Sequence, residues 1–306
     1  MSTIEKAVKK QSELDAQQEQ GIGGESTQEA LNVASSKVAD ERADKNLRRE
    51  ASDKAEMVRQ SYLANATIQL DLEHLESLNF VSLSPERRII NEEFRSIKRK
   101  LLNNAFGGLS NSLKHPNLIM VTSSRPGEGK TFTAVNLALS MALEKDKTVL
   151  LVDADVLRPM VAKTLRFTTE NGLTDYLSTD DLNVEDVLLS TNIDRLKIIS
   201  AGKPHHLSTE LLASEKMLQL ATEFATRYPD RVVIFDAPPL LGVNETSVLA
   251  AMCGQAVVVV EENQTKITEI DQAVALLPEE LAVGFVINKA HRNQGKGYGY
   301  YYSNSN

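Results

Sequence analysis

The chain has 306 residues, with 34 Lys and Arg against 42 Asp and Glu for a net charge of −8; 42 % of its residues are hydrophobic and 25 % charged. The acidic balance argues against general nucleic-acid binding by the whole chain, and the single cysteine, Cys253, excludes an internal disulfide and fits the cytosol. No run approaches the roughly 18 to 20 apolar residues of a membrane span, and no signal-type apolar stretch opens the chain, so a soluble protein is expected.

Residues 1–67 differ from the rest. They hold no proline and few large aliphatics, and the first aromatic is Tyr62. Such a segment cannot bury enough apolar surface to offset its ordering entropy, and it reads as a disordered or partly helical arm. Within it, TIEKAVKK places Ile4 and Val8 on one helical face, either as a docking helix or as a frayed terminus. Next, Ile89, Ile90, Phe94, Ile97, Leu101 and Leu102 recur at helical spacing and predict a helix over 86–105, with Ser84-Pro85 suited to its cap and first turn. One face of that helix carries Glu92, Arg95, Lys98 and Arg99, which by pattern alone is a solvated charged face.

From Asn117 onward strand and helix alternate. LIMVTS, TVLLVD, LKIIS, RVVIFD, QAVVVVE and AVGFVIN are short apolar runs that suit strands buried on both faces of a parallel sheet. TFTAVNLALSMALEK, STELLASEKMLQLATEFATRY and TEIDQAVALLPEEL read as the helices between them, and Cys253 as a small buried hydrophobe. The pattern predicts a doubly wound, mostly parallel α/β sheet over 68–292, with ligands at the carboxyl ends of the strands.

Ser124-Arg125-Pro126-Gly127-Glu128-Gly129-Lys130-Thr131 follows the first of these strands and opens the helix containing Phe132, which is the context a phosphate-binding P-loop requires. Ser124 replaces the usual first glycine. Gly127 and Gly129 let backbone N–H groups face a phosphate, and the helix N-terminus adds a positive dipole end. Lys130 is expected to reach the β- and γ-phosphates of ATP, and Thr131 to offer its hydroxyl to Mg²⁺. Asp153, Asp155 and Asp236 end two further strands, where one or two carboxylates would hold the nucleotide's Mg²⁺. Asn288, ending the last strand, either contacts the base or caps the turn.

SSRPGEGKT, VLLVDADVLRP and VVIFDAPPLL resemble the Walker A, A′ and B motifs of bacterial tyrosine kinases. NGLTDYL, ISAG with STELLAS, and EEFRSIKRKLLNNA extend the likeness over Ile68 to the C-terminus. It is nearest to the tyrosine autokinases of exosortase-type exopolysaccharide systems. The last stretch is similar to that family's oligomerisation helix, E-x-x-R-x-x-R, with Glu92 and Arg95 matching and Lys98 where arginine is usual, which weakens a bidentate contact. The resemblance implies a P-loop NTPase-type fold, a homo-oligomer, and a cytoplasmic kinase recruited to the inner face of the plasma membrane by a transmembrane activator of the polysaccharide co-polymerase type.

Four of the seven tyrosines, Tyr298, Tyr300, Tyr301 and Tyr302, fall in the last nine residues among Gly, Ser and Asn. Beside a nucleotide site, this tail over 293–306 reads as a flexible phosphoacceptor, and Tyr176 and Tyr228 as structural. The expected reaction moves the ATP γ-phosphoryl to a tail tyrosine: Lys130 and the loop amides hold phosphates, Thr131, Asp155 and Asp236 serve the metal, and Asp153 or Asp155 orients the phenol. Arg158 is a candidate for phosphate contact or an intersubunit pair. A partition- or septum-site-type ATPase switch is the competing class; it usually carries a lysine early in the loop, where Arg125 stands, and has no use for a tyrosine tail. A pseudo-kinase scaffold is disfavoured because the metal and phosphate residues are all present. Phosphorylation would repel the tail from a neighbour's site, so a tyrosine phosphatase is expected to drive reassembly.

Overall fold

The structure is a computed structural model that describes residues 67–84, 86 and 88–291. The expected arm up to residue 66, Pro85 and the tyrosine tail lie outside the described residues. Those described fall within one compact unit, Ala66–Asn306.

In chain order the elements are α1 (Leu72–Ser77), α2 (Ile89–Phe106), β1 (Leu118–Ser123), α3 (Lys130–Ala142), β2 (Thr148–Asp153), α4 (Val161–Leu165), α5 (Leu173–Ser178), α6 (Val184–Val187), β3 (Leu189–Ser190), β4 (Leu196–Ile199), α7 (Ser208–Leu212), α8 (Glu215–Thr226), β5 (Arg231–Asp236), α9 (Glu245–Ala250), β6 (Gln255–Glu261), α10 (Ile267–Val274) and β7 (Ala282–Asn288). One sheet has the order β3-β4-β2-β5-β1-β6-β7. Every pairing is parallel except β3 with β4. This is the doubly wound, mostly parallel sheet that the alternation of apolar runs and helices predicts. The consecutive strands β5 and β6 flank β1 on opposite sides, so a crevice opens beyond its carboxyl end.

The continuous apolar runs fit burial on both faces: all six residues of β1 are buried, as are five of the six in β2 and in β5. Ile119 and Val121 pack into one core with α2 and α3, while Leu118 and Met120 pack into the other with α5 and α8. Cys253 is buried in that second core, which pushes its thiol pKa up, in keeping with the hydrophobe expected there.

Four expectations need correction. Helix α2 begins at Ile89 rather than Glu86, with Arg88 as its cap residue. The Ser84 hydroxyl instead lies 2.7 Å from that of Ser82. Residues 208–228 form two helices, because the Ser214 hydroxyl accepts a hydrogen bond from the Met217 N–H at 3.2 Å and starts α8 afresh. Lys98 is not part of a solvated face. It is buried in the Ile90, Phe94, Leu101 stripe of α2, donates to the Ser140 carbonyl at 2.9 Å and pairs with Glu144 at 2.6 Å. Finally, β7 is not buried on both faces: it is the sheet edge, with Phe285 51 % and Ile287 66 % exposed.

Candidate active site

Strand β1 delivers the chain to a loop whose shape depends on glycine at two places. Gly127 and Gly129 have φ of 91° and 98°, in the left-handed region that side chains disfavour. The loop is braced from behind. The Glu128 carboxylate accepts from the Arg125 N–H at 2.8 Å and from the Thr265 hydroxyl. Asn288 Nδ2 donates to the Glu128 carbonyl at 2.9 Å, and a Cβ added at Gly129 would run into that same amide. Arg125 pairs with Glu269 of α10 at 3.2 Å. Asn288 thus holds the loop, one of the two roles expected for it, and the Glu128 side chain is a strut. Thr265, which sequence reasoning missed, completes the brace. The Phe132 ring packs 4.9 Å from Phe80 and 6.3 Å from Phe94, so its side chain anchors the first turn of α3 to the core.

At the head of α3, Lys130 Nζ lies 2.5 Å from Asp155 Oδ2 and 3.9 Å from Asp236 Oδ1. Burial works to lower its pKa, but Asp236 and Asp155 overcome that and hold the ammonium charged. The Thr131 hydroxyl donates to Asp236 Oδ2 at 2.7 Å. Burial pushes the Asp236 carboxyl up to about 6, against the pull of Lys130 and Thr131. Its Oδ1 is buried with no hydrogen-bond partner.

Asp153 and Asp155, two apart, part company. Asp153 aligns with Asp236 across the β2–β5 pairing and is fully buried. Its Oδ2 accepts from the Val161 N–H at 2.9 Å, and burial with the nearby Asp236 charge pushes its carboxyl up to about 8. Asp155 instead lines a cleft of about 510 Å³ together with Pro126, Gly127, Gly129, Lys130 and Thr131. Arg158, Leu157 and Met160 form one wall of this cleft, and Pro238, Pro239, Leu241 and Val243 another. A Gly-rich floor that carries the Lys130 ammonium, under walls that are largely apolar but include Arg158, can seat phosphates against a ring-bearing group. Among the described residues no group of three or more His, Cys, Asp or Glu side chains is placed to cage a metal alone. The donor set, one hydroxyl and one or two carboxylates with a bare oxygen on Asp236, fits a cation that arrives with phosphate oxygens and water.

A family model described as "AAA domain" matches residues 116–277. The tyrosine-protein kinase YwqD of Bacillus subtilis (strain 168) is 30 % identical over 231 residues, spanning 74 % of this chain and 93 % of that protein. The chain is a bacterial tyrosine-protein kinase. The kinase is also similar to the tyrosine-protein kinase ptk of Acinetobacter johnsonii, at 32 % identity over 185 residues, but spans only 24 % of that much longer protein. Among solved structures, the BceF tyrosine kinase domain superposes with a TM-score of 0.56 at 28 % identity, covering 76 % of the kinase and 88 % of that domain. The kinase domain is therefore of the nucleotide-binding type, and the switch-ATPase alternative falls away.

The acceptor candidates Tyr298, Tyr300, Tyr301 and Tyr302 lie outside the described residues. Of the other tyrosines, Tyr176 stacks under Lys216 Nζ at 4.7 Å and Tyr228 under the Arg231 guanidinium at 3.9 Å, both in packing roles. Glu92 and Arg95 form an exposed pair with each other at 2.7 Å, whereas Lys98 is committed to its own chain.

Proposed function

We propose that the kinase transfers the γ-phosphoryl of ATP to Tyr298, Tyr300, Tyr301 and Tyr302 of its tail, and that this controls exopolysaccharide synthesis or export. The observation that carries the reading is the placement of Lys130, Thr131 and Asp155 at the floor of a cleft with largely apolar walls, with Asp236 bonded to the Thr131 hydroxyl behind it. Those walls suit a phenol ring, and Asp155 is the carboxylate that reaches the opening. The phenol oxygen attacks the γ-phosphorus, the bond from it to the β,γ-bridging oxygen breaks, and ADP leaves with that oxygen. Asp155 accepts the phenolic hydrogen bond and takes the proton to solvent. Lys130 leaves its ion pair with Asp155 to meet phosphate charge, while the Gly127 and Gly129 backbone neutralises the rest. Mg²⁺, held by Thr131 and Asp236, supplies further charge neutralisation when bound with the nucleotide. Asp153 supports α4 and the shape of the floor rather than touching substrate.

The kinase spans about a quarter of ptk, and among the described residues no helix is long and apolar enough to cross a membrane. We infer that a separate transmembrane partner recruits and activates it from the cytoplasm, that a tyrosine phosphatase resets it, and that it assembles as a homo-oligomer through Glu92 and Arg95. Residues 1–67 act as an arm, 68–292 as the catalytic domain and 293–306 as the acceptor tail. The test is incubation of purified kinase with ATP and Mg²⁺, followed by phosphosite mapping. Phosphotyrosine confined to 298–302 is expected; orthophosphate release without phosphotyrosine overturns the reading.

A further inference from the structure

The open edge of the sheet, β7, contributes no residue to the lining of the cleft. The Ala282 N–H donates to the Gly254 carbonyl at 3.1 Å, and the Glu262 N–H to the Asn288 carbonyl at 3.1 Å. Even-numbered residues of β7 therefore turn their backbone polar groups toward β6, and Val283, Phe285 and Ile287 turn theirs outward, where no strand pairs with them among the described residues. An unpaired edge of this kind is a template for another strand.

Apolar side chains flank that edge on both faces. Phe285 and Ile287 stand exposed on one. On the other, Val286 packs toward α2 and α3, where a groove of about 1060 Å³ takes in Phe94 and Phe132 beside Ile89, itself 62 % exposed, with Arg88, Glu93 and Lys289 also lining it. Nothing in β7 protects this edge by charge or proline, the usual devices of an exposed strand.

The chain itself supplies a strand that fits. Nine residues, KAHRNQGKG, separate Asn288 from Tyr298, and Gly295 and Gly297 let them turn back. At ~3.3 Å per residue they reach along the whole of a seven-residue strand. In an extended tail the side chains of Tyr298, Tyr300 and Tyr302 point to one face and that of Tyr301 to the other. Aromatic groups on both faces of the tail thus meet apolar groups on both faces of the edge, and the tail's Gly, Ser and Asn carry no charge that would be desolvated.

We propose that the unphosphorylated segment Tyr298–Tyr302 folds back and pairs with the free edge of β7 in the same molecule, covering Phe285 and Ile287. Docked there, the tyrosines are held away from the cleft and from a neighbour's cleft. Docking does not depend on the tail being the acceptor. Release does rest on that reading, since each phosphate adds about 1.5 to 2 negative charges to a ring that the edge holds by apolar contact.

The test is hydrogen exchange on phosphatase-treated full-length kinase. The amides of Phe285 and Ile287 are expected to exchange at least about tenfold more slowly than in the full-length variant Tyr298→Ser, Tyr300→Ser, Tyr301→Ser, Tyr302→Ser. Equal rates overturn the proposal, because any occupant that survives the loss of the tyrosines is not the tail. Protection that depends on the tyrosines but rises with protein concentration also overturns it, by placing the strand on a second copy. As an independent check, Ile287→Ser is expected to speed chymotryptic cleavage after Tyr300 about tenfold; an unchanged rate counts against docking. Adding ATP to wild type should abolish the protection. If ATP leaves it intact while the Tyr→Ser difference stands, the acceptor reading fails and the docking is upheld.

Discussion

Strands β1 and β7 belong to one sheet and read alike as sequence, LIMVTS and AVGFVIN, yet they live in opposite environments. Every residue of β1 is buried between two layers of helices, and its end opens into the phosphate loop. Among the described residues, strand β7 has one neighbouring strand, no full helical cover, and two large apolar side chains facing out. The difference teaches that in this fold a short apolar run reports membership of the sheet, while position in the strand order decides what the run does. At the centre it builds a rigid platform for chemistry; at the edge it leaves a surface for pairing.

The comparison is sharpened first at the chemical end. Lys130→Met should lower phosphotransfer by about 10³-fold or more, because a group that neutralises transition-state charge is removed. The variant should also melt no higher than wild type, since Asp155 and Asp236 lose their counter-ion. Phosphotyrosine within tenfold of wild type in a folded variant would contradict the assignment. Second, Ile119→Ala in β1 should cost about 2 to 5 kcal/mol in denaturant unfolding, the usual range for truncating a fully buried aliphatic. A loss below about 1 kcal/mol would mean the platform is less tightly packed than its burial implies.

A pH effect of smaller size separates the two regions further. In the nucleotide-free kinase the folded-state pKa of Asp153 is pushed up to about 8 and that of Asp236 to about 6, above the ordinary carboxylate value near 4. The folded state therefore holds these protons more tightly than the unfolded chain. That contribution is fully present below about pH 4 and is lost progressively as the pH rises toward 8. The melting temperature of the nucleotide-free protein should fall from pH 6 to pH 8.5, and Asp153→Asn should flatten the slope. An equal slope in the variant would remove Asp153 as its source. Last and smallest, Gly284→Ala in β7 should change stability by no more than about 0.5 kcal/mol, because a Cβ there meets only one atom at 4.0 Å. The same change at Gly129 meets Asn288 and a positive φ, and should abolish nucleotide binding measured by calorimetry. Equal tolerance at the two glycines would erase the contrast.

Much of this was legible in the sequence, and for local reasons. The six apolar runs became strands because each carries enough Val and Ile to favour a pleated, doubly covered surface, and GKT after such a run marks a helix N-terminus that faces phosphate. The break at Ser214 was missed even though a serine three residues before an apolar periodic position is a cap signal. What stayed hidden depends on partners far along the chain. Lys98 looks solvent-bound by its charge, and only the approach of Glu144 and the Ser140 carbonyl explains its burial. The bracing by the Glu128 and Asn288 side chains was hidden too, because their partners, Thr265 and the Glu128 carbonyl, lie 137 and 160 positions away. The two-residue strand β3 is too short to carry a periodicity, and nothing local says that β7 ends the strand order.

The bond from Asn288 to the Glu128 carbonyl spans 160 positions of the chain. The P-loop motif follows β1, while the residue that wedges beneath Gly129 ends β7, the last strand among the described residues. A nascent chain still short of residue 288 carries the lysine, the threonine and all three aspartates, yet its loop has no floor to rest on. The brace of the loop is thus a long-range contact, closed only when β7 has joined the sheet beside β6, and the motif's own residues do not supply it.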